Sequence, residues 1–179
     1  KALSLMAPVF KAGICAGDRV AVAREGESIG DLVVPEGKIG LATVCSIVIN
    51  GALLRAGVPM DSRFGGILQI RNRQPLRFVE LIHYAGSSLD PTEVFIRGKM
   101  TTVAQAAKQG GGKILANFRE VPAVCRPLVE EVVAGLKAVG LGELLIMGNT
   151  SAPVCEIPVQ PNKIGMILIG GMNPVAAAE

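Results

Sequence analysis

The sequence predicts an α/β chain of mixed sheets and helices joined at strand-to-helix corners, with a possible internal duplication giving two similar strand–turn–helix units. Three observations carry that expectation. Half of the 179 residues are hydrophobic, yet only five Phe and one Tyr are aromatic and Trp is absent, so Val, Ile, Leu and Ala must fill the core. Twenty-two Gly and eleven Pro punctuate the chain without a collagen-like period or low-complexity tract. An almost wholly apolar run, Lys38–Val44, leads straight into a helical pattern. The length fits one domain, residues 1–179, with a core of its own.

Residues 2–12 are expected as a short helix despite Pro8. Arg19–Ala23 and Asp31–Val34 are expected strands separated by a turn at Glu25–Ser28. Lys38–Val44 is a stronger strand, apolar enough to predict burial on both faces. A helix follows from Ser46 to Ala56, capped by Ser46 and stopped by Gly57 and Pro59. Gly66–Ile70 and Leu76–Ile82 form a hairpin about the polar turn Arg71–Gln74.

Asp90-Pro91-Thr92-Glu93 has a capping residue, Pro at the first helical position and Glu at the third, although Val94-Phe95-Ile96 also suits a strand. Thr102–Gln109 is a helix with Gln105 completing a capping box and Gly110 ending it. Lys113–Val121 is a strand, and Pro122–Val139 the longest helix, with its regular part starting near Pro127 and a stripe of Leu128, Val132, Leu136 and Val139. Leu144–Met147, Cys155–Val159 and Lys163–Ile169 are further strands. The chain stops at Glu179 within another helix, which with the missing initiator Met implies a fragment of a longer protein.

The duplication rests on Gly26–Leu41 and Ile157–Met166. Each has a Pro-containing turn and Lys-Ile-Gly, then an apolar strand feeding a helix near an Asn, Asn50 or Asn173. Chance likeness between two Gly/Pro-punctuated strands is the competing explanation.

A formal charge of +3 with no basic run argues against a nucleic-acid groove and suits a small anion at least as well. Cys15, Cys45, Cys125 and Cys155 are scattered, and His83 has no acidic or thiol neighbour at ligand spacing, so neither a metal site nor any other cofactor is expected. Reduced thiols point to a cytoplasmic protein. The longest apolar stretches are too short to span a bilayer.

The residues that can hold a ligand gather at corners. At Thr43-Val44-Cys45-Ser46 a strand meets a helix N-terminus, whose free N–H groups and positive dipole end suit a carboxylate or phosphate. Helix capping by Ser46 and simple burial of Cys45 explain the same residues without a ligand. Gly170-Gly171-Met172-Asn173 is the matching corner of the second unit, where glycines let backbone approach a ligand or merely make room for packing. Ser62-Arg63 beside Gly65 places a guanidinium, the group that binds a carboxylate through two parallel hydrogen bonds, just before a strand. Asn117 and Arg119 offer a second such pair, unless Arg119 merely pairs with Glu120. Gly110-Gly111-Gly112 lacks phosphate-loop spacing and leads into a strand. No nucleophile–base pair, carboxylate pair or metal triad stands out, so the chain is not expected to be an enzyme.

Five blocks together resemble the archaeal nitrogen-regulatory repressor family, NrpR, in its effector-binding (NRD) domain. They are Pro35–Pro59, Asp61–Gly66, Gly86–Pro91, Ile114–Glu120 and Ile164–Ala176, in family order over nearly the whole chain. The resemblance implies the sensing domain of a repressor of nitrogen-fixation and assimilation genes, released from its operator by 2-oxoglutarate. It implies a homodimer or pairing with a homologous effector domain, and DNA contact only through a winged helix outside this chain. On that basis the expected effector contacts are Thr43, Cys45, Ser46, Asn50, Ser62, Arg63, Gly65, Asn117, Arg119, Gly170, Gly171 and Asn173. Two alternatives stay open: a structural dimerisation or interaction domain, and a small-acid enzyme using Cys45.

Overall fold

A long antiparallel hairpin organises the chain. In the computed structural model, which describes residues 1–142 and 144–179, strand β5 (Asp61–Arg71) turns back as β6 (Gln74–His83). Asn72 and Arg73 both take left-handed backbone angles, φ 51 and 61, the two-residue turn whose twist matches its strands. β5 begins at Asp61 instead of the expected Gly66 because its other edge pairs with β7 (Gly112–Pro122) along nearly its whole length, from Asp61↔Glu120 to Ile70↔Gly112. β9 (Lys163–Ile169) and β8 (Leu144–Thr150) complete a five-stranded sheet in the order β6-β5-β7-β9-β8, and all its ladders are antiparallel.

The period of two along β7 assigns the faces of this sheet. Ile114, Ala116 and Phe118 point to one face, where α1 (Ala2–Lys11) and α4 (Val103–Gln109) pack through Val9, Val103 and Ala106. Phe118 is wholly buried there, stacked 5.2 Å from Phe64, and truncating it to Ala would cost about 3–5 kcal/mol. Leu115 and Val121 point to the other face, which is covered in two separate patches. Helices α2 (Ile47–Arg55) and α5 (Arg126–Ala138) cover the β9 side with Ile49, Leu53 and Val129 over Ile164, Met166 and Leu168. Helix α3 (Pro91–Arg97) covers the β5 side with Phe95 over Ile67 and Leu115. Asn117 and Arg119, on the same face of β7, fall between the two patches. A short helix α6 (Asn173–Ala178) ends the described chain, as its sequence suggests.

The mixture of helices and sheets and the strand-to-helix corners are as expected, but several local expectations are overturned. Lys38–Val44 is not buried on both faces. Its strand is the shorter β4 (Gly40–Thr43), paired with β1 (Val20–Ala23) in a two-stranded arm beside the hairpin of β2 (Ser28–Ile29) and β3 (Leu32–Val33). Ile39 is 76% exposed, and among the described residues β4 has β1 as its only strand partner. Cys155–Val159 is no strand: Cys155 and Glu156 are left-handed, φ 48 and 69, in a turn closed by the Val154↔Ile157 bridge. β9 already has β7 and β8 on its two edges, so the segment finds no ladder there.

The buried stripe of α5 is Val129 with Val132, Val133 and Leu136, while Leu128 and Val139 are 37% and 52% exposed. Asp90 settles α3 as a helix, its Oδ1 accepting from the Thr92 N–H at 2.8 Å. The capping box of α4 does not form, since Gln105 donates to Gln109 and the Thr102 hydroxyl accepts from the Lys113 N–H. Lys38-Ile39-Gly40 leads into the arm, whereas Lys163-Ile164-Gly165 opens a central strand of the main sheet. The repeated sequence pattern therefore does not carry a repeated pairing.

Candidate functional site: a cleft over the central strand

The gap between the two patches is a cleft of about 390 Å³, within the size range of small-molecule sites. Its floor is Asn117 and Arg119 of β7, Ser62 of β5 and Tyr84 just beyond β6. The start of α2 makes one wall, with Cys45, Ser46, Ile47 and Asn50. Leu89 to Thr92, the segment entering α3, makes the other, and Gly171 and Met172 close one end.

Arg119 dominates the chemistry. It is only 5% exposed. Its Nη1 donates to the Ser62 hydroxyl, its Cζ lies 6.0 Å from the centre of the Tyr84 ring, and its Nε is buried with no hydrogen-bond partner. The alternative pairing with Glu120 is taken by other cations. Arg63 Nη1 is 2.8 Å from Glu120 Oε1, and Lys163 Nζ is 3.3 Å from Asp61 and 3.6 Å from Glu120. Among the described residues Arg119 has no carboxylate partner. Burial lowers its pKa from the ordinary arginine value, with Tyr84 and Cys45 opposing that shift, and a guanidinium stays charged under such a shift. A buried cation without an anion is costly.

The other polar groups form a directed chain. Tyr84 donates its hydroxyl hydrogen to Asn117 Oδ1 at 2.6 Å, and Asn117 Nδ2 donates to Ser46 Oγ at 3.0 Å. Burial raises the Tyr84 pKa, Arg119 pulls it down, and Asp90 and Cys45 add to the rise. The Ser46 hydroxyl is thus turned to Asn117 and does not cap α2 through its side chain, contrary to the sequence expectation. Asn50 adds an amide whose buried Oδ1 is unpartnered. The N-terminus of α2, the positive end of its dipole, lies at the cleft wall, although its Val48 and Ile49 N–H groups bond back to the Cys45 and Ser46 carbonyls.

Seven of the expected contacts come together at this cleft: Cys45, Ser46, Asn50, Ser62, Asn117, Arg119 and Gly171. Cys45 is exposed at the cleft wall, not buried as the packing alternative required. Gly171 lets two corners meet, since a Cβ there would sit 2.5 Å from Cys45 Cα and 2.7 Å from the Val44 carbonyl oxygen. The remaining expected residues stand behind the wall. Thr43 reaches the Gly171 carbonyl at 3.4 Å. A side chain at Gly65 would strike Pro91, with its Cβ 2.8 Å from Pro91 Cβ. Gly170 bonds to the Leu115 carbonyl, and Asn173 clamps Leu115 by accepting from its N–H at 2.8 Å and donating to its oxygen at 3.0 Å.

Arg63 lies outside the cleft lining. It sits at a β-bulge between Ser62 and Phe64, and turns to Glu120. The expectation missed Tyr84 and the Leu89–Thr92 wall. One signal was available for Tyr84, the chain's single Tyr placed at a strand end, where its ring can be buried while its hydroxyl finds a partner. Among the described residues no three His, Cys, Asp or Glu gather as metal ligands, and no helix is long and apolar enough to cross a membrane.

Comparison with known proteins identifies the family and the fold. A family profile described as NrpR regulatory domains NRD1 and 2 matches residues 1–179. The global nitrogen regulator NrpRI of Methanosarcina mazei is 36% identical over 177 residues, covering 99% of this chain and 54% of that protein. The global nitrogen regulator NrpR of Methanocaldococcus jannaschii is 31% identical over 175 residues, covering 98% of this chain and 28% of that protein. The chain thus spans about half of one relative and less of the other. A crystal structure of a nitrogen repressor-like protein from Methanococcus jannaschii superposes with a TM-score of 0.78 at 30% identity, covering 98% of this chain and 70% of that one. These relatives are named regulators, not enzymes.

Proposed function

Because the chain belongs to the family of NrpR regulatory domains, we propose that it is the effector-sensing domain of a repressor of nitrogen-assimilation and nitrogen-fixation genes, and that its cleft takes 2-oxoglutarate. The observation that carries this reading is Arg119, buried in the cleft without a carboxylate of its own. A planar guanidinium takes a carboxylate through paired, charge-assisted hydrogen bonds. Across the cleft the start of α2 suits the second carboxylate of a diacid. The Ser46 hydroxyl, which lines the same cleft, would answer the oxo group.

The cleft is walled by separate elements, the start of α2 on one side and the segment entering α3 on the other. A diacid that bridges them binds one arrangement of these walls better than another, and that difference is what shifts a two-state equilibrium. The shift would pass to a second copy or a homologous effector domain, and to DNA through a winged helix outside this chain. The exposed apolar residues of the small arm, Leu32, Val33 and Ile39, support pairing with such a protein partner.

Thermal unfolding with 2-oxoglutarate, and with glutamate and succinate as controls, tests the reading. At 100 times the dissociation constant the effector adds about 2.7 kcal/mol, a rise of several degrees for a domain of this size. A selective, saturable rise with 2-oxoglutarate is the expected result. No shift with any of the three acids would remove the sensing role.

A further inference from the structure

We propose that Tyr84 makes the cleft selective for a 2-oxo diacid, over the same diacid without the oxo group or with an amino group, by fixing the direction of the Tyr84–Asn117–Ser46 hydrogen-bond chain. The inference rests on the reading of the cleft as a diacid site and adds to it the residue that sets specificity. Tyr84 Oη donates to Asn117 Oδ1 at 2.6 Å, so the Asn117 amide must present Nδ2 to Ser46, and it does so at 3.0 Å. Ser46 Oγ is therefore an acceptor in this chain. Its own hydrogen remains to be donated, and Ser46 lines the cleft.

A ketone oxygen can only accept, and it completes the chain. A methylene leaves the Ser46 hydrogen without a partner. An ammonium group cannot accept the Ser46 hydrogen, and it brings a positive charge toward Arg119. Asp90 also lines the cleft, but its Oδ1 is engaged with the Thr92 N–H at the start of α3. A site that presents a buried hydrogen-bonding group rejects the analogue that cannot answer it. Tyr84 is a positioning residue in this scheme, acting through Asn117. Without its hydroxyl the Asn117 amide is free to turn over, place Oδ1 toward Ser46 and consume the serine's hydrogen.

The test is calorimetric titration of 2-oxoglutarate, glutarate and glutamate into the wild-type chain, Tyr84→Phe and Ser46→Ala. The wild type should prefer 2-oxoglutarate over glutarate by about tenfold, the worth of one good hydrogen bond. Both variants should lose most of that ratio, whatever change in affinity the two acids share. A merely structural role for Tyr84 would weaken both ligands together and leave the ratio standing, which overturns the inference. So would equal wild-type affinity for 2-oxoglutarate and glutarate. Ser46→Ala carries the test if Tyr84→Phe fails to fold. Wild-type protein that binds no diacid overturns the cleft reading and this inference with it, whereas a bound diacid with an unchanged ratio overturns this inference alone.

Discussion

Replacing Arg119 with Met separates what the residue costs the fold from what it gives a ligand. A charge held out of water costs a few kcal/mol, about 4 for a side chain as buried as this one. The hydrogen bond to Ser62 returns about 2 kcal/mol, as bonds from charged groups do, and the Tyr84 ring about 1 kcal/mol. The remainder is a net cost near 1 kcal/mol in the empty protein. Methionine keeps the apolar stem and drops the charge, so Arg119→Met should be more stable than wild type by about 1 kcal/mol, or about 2–4 °C in Tm. Urea unfolding followed by circular dichroism reads this directly. The same variant should lose about 3 kcal/mol of diacid affinity, roughly a hundredfold, with the paired hydrogen bonds. A fall of about 3 kcal/mol in the empty variant's stability, the penalty for breaking a satisfied buried charge network, would refute the reasoning.

Three further outcomes follow from the same geometry. Tyr84 is the single tyrosine and Trp is absent, so ultraviolet absorbance titration reports the cleft alone. Its midpoint should lie above the ordinary 10.0, because burial holds the phenol protonated, and should rise further in Arg119→Met, where the opposing cation is gone. The sign for stability follows: the contribution is complete below the unfolded-state value and is lost as pH rises through the folded one. Arg63→Ala should leave diacid affinity within about twofold while costing about 3 kcal/mol in a urea melt, since it strips a partner from wholly buried Glu120. Asn173→Ala should cost about 1–3 kcal/mol by the same assay, because it takes the Asn173 acceptor from the Leu115 N–H, while the Leu115 carbonyl still accepts from Gly170.

Much of the cleft is legible in sequence wherever a local rule acts on it. The α2 corner is visible from an apolar run followed by a helical pattern, which brings out Cys45, Ser46 and Asn50 together. The two-residue period of a strand places Asn117 and Arg119 on one face, and the doubled glycine at Gly170 and Gly171 announces a close approach. What stays hidden depends on contacts distant in the chain. Nothing local to Arg63 reveals the bulge that turns it to Glu120. Tyr84 and Asp90 reach the cleft only through the β5–β6 register and the docking of α3 on Leu115. The expected strand at Cys155–Val159 fails for a similar reason, since pattern cannot show that β9 already has partners on both edges. The family resemblance supplies what local pattern lacks for the fold, while the roles of individual side chains await the geometry.

The central claim is that Arg119 waits for a carboxylate, and its unpartnered, buried Nε offers a direct probe. In proton–nitrogen correlation spectra, the Arg119 Nε–H resonance should move downfield saturably as 2-oxoglutarate is added, while that of Arg63 stays in place. An Arg119 resonance that holds still through a millimolar excess would contradict the account.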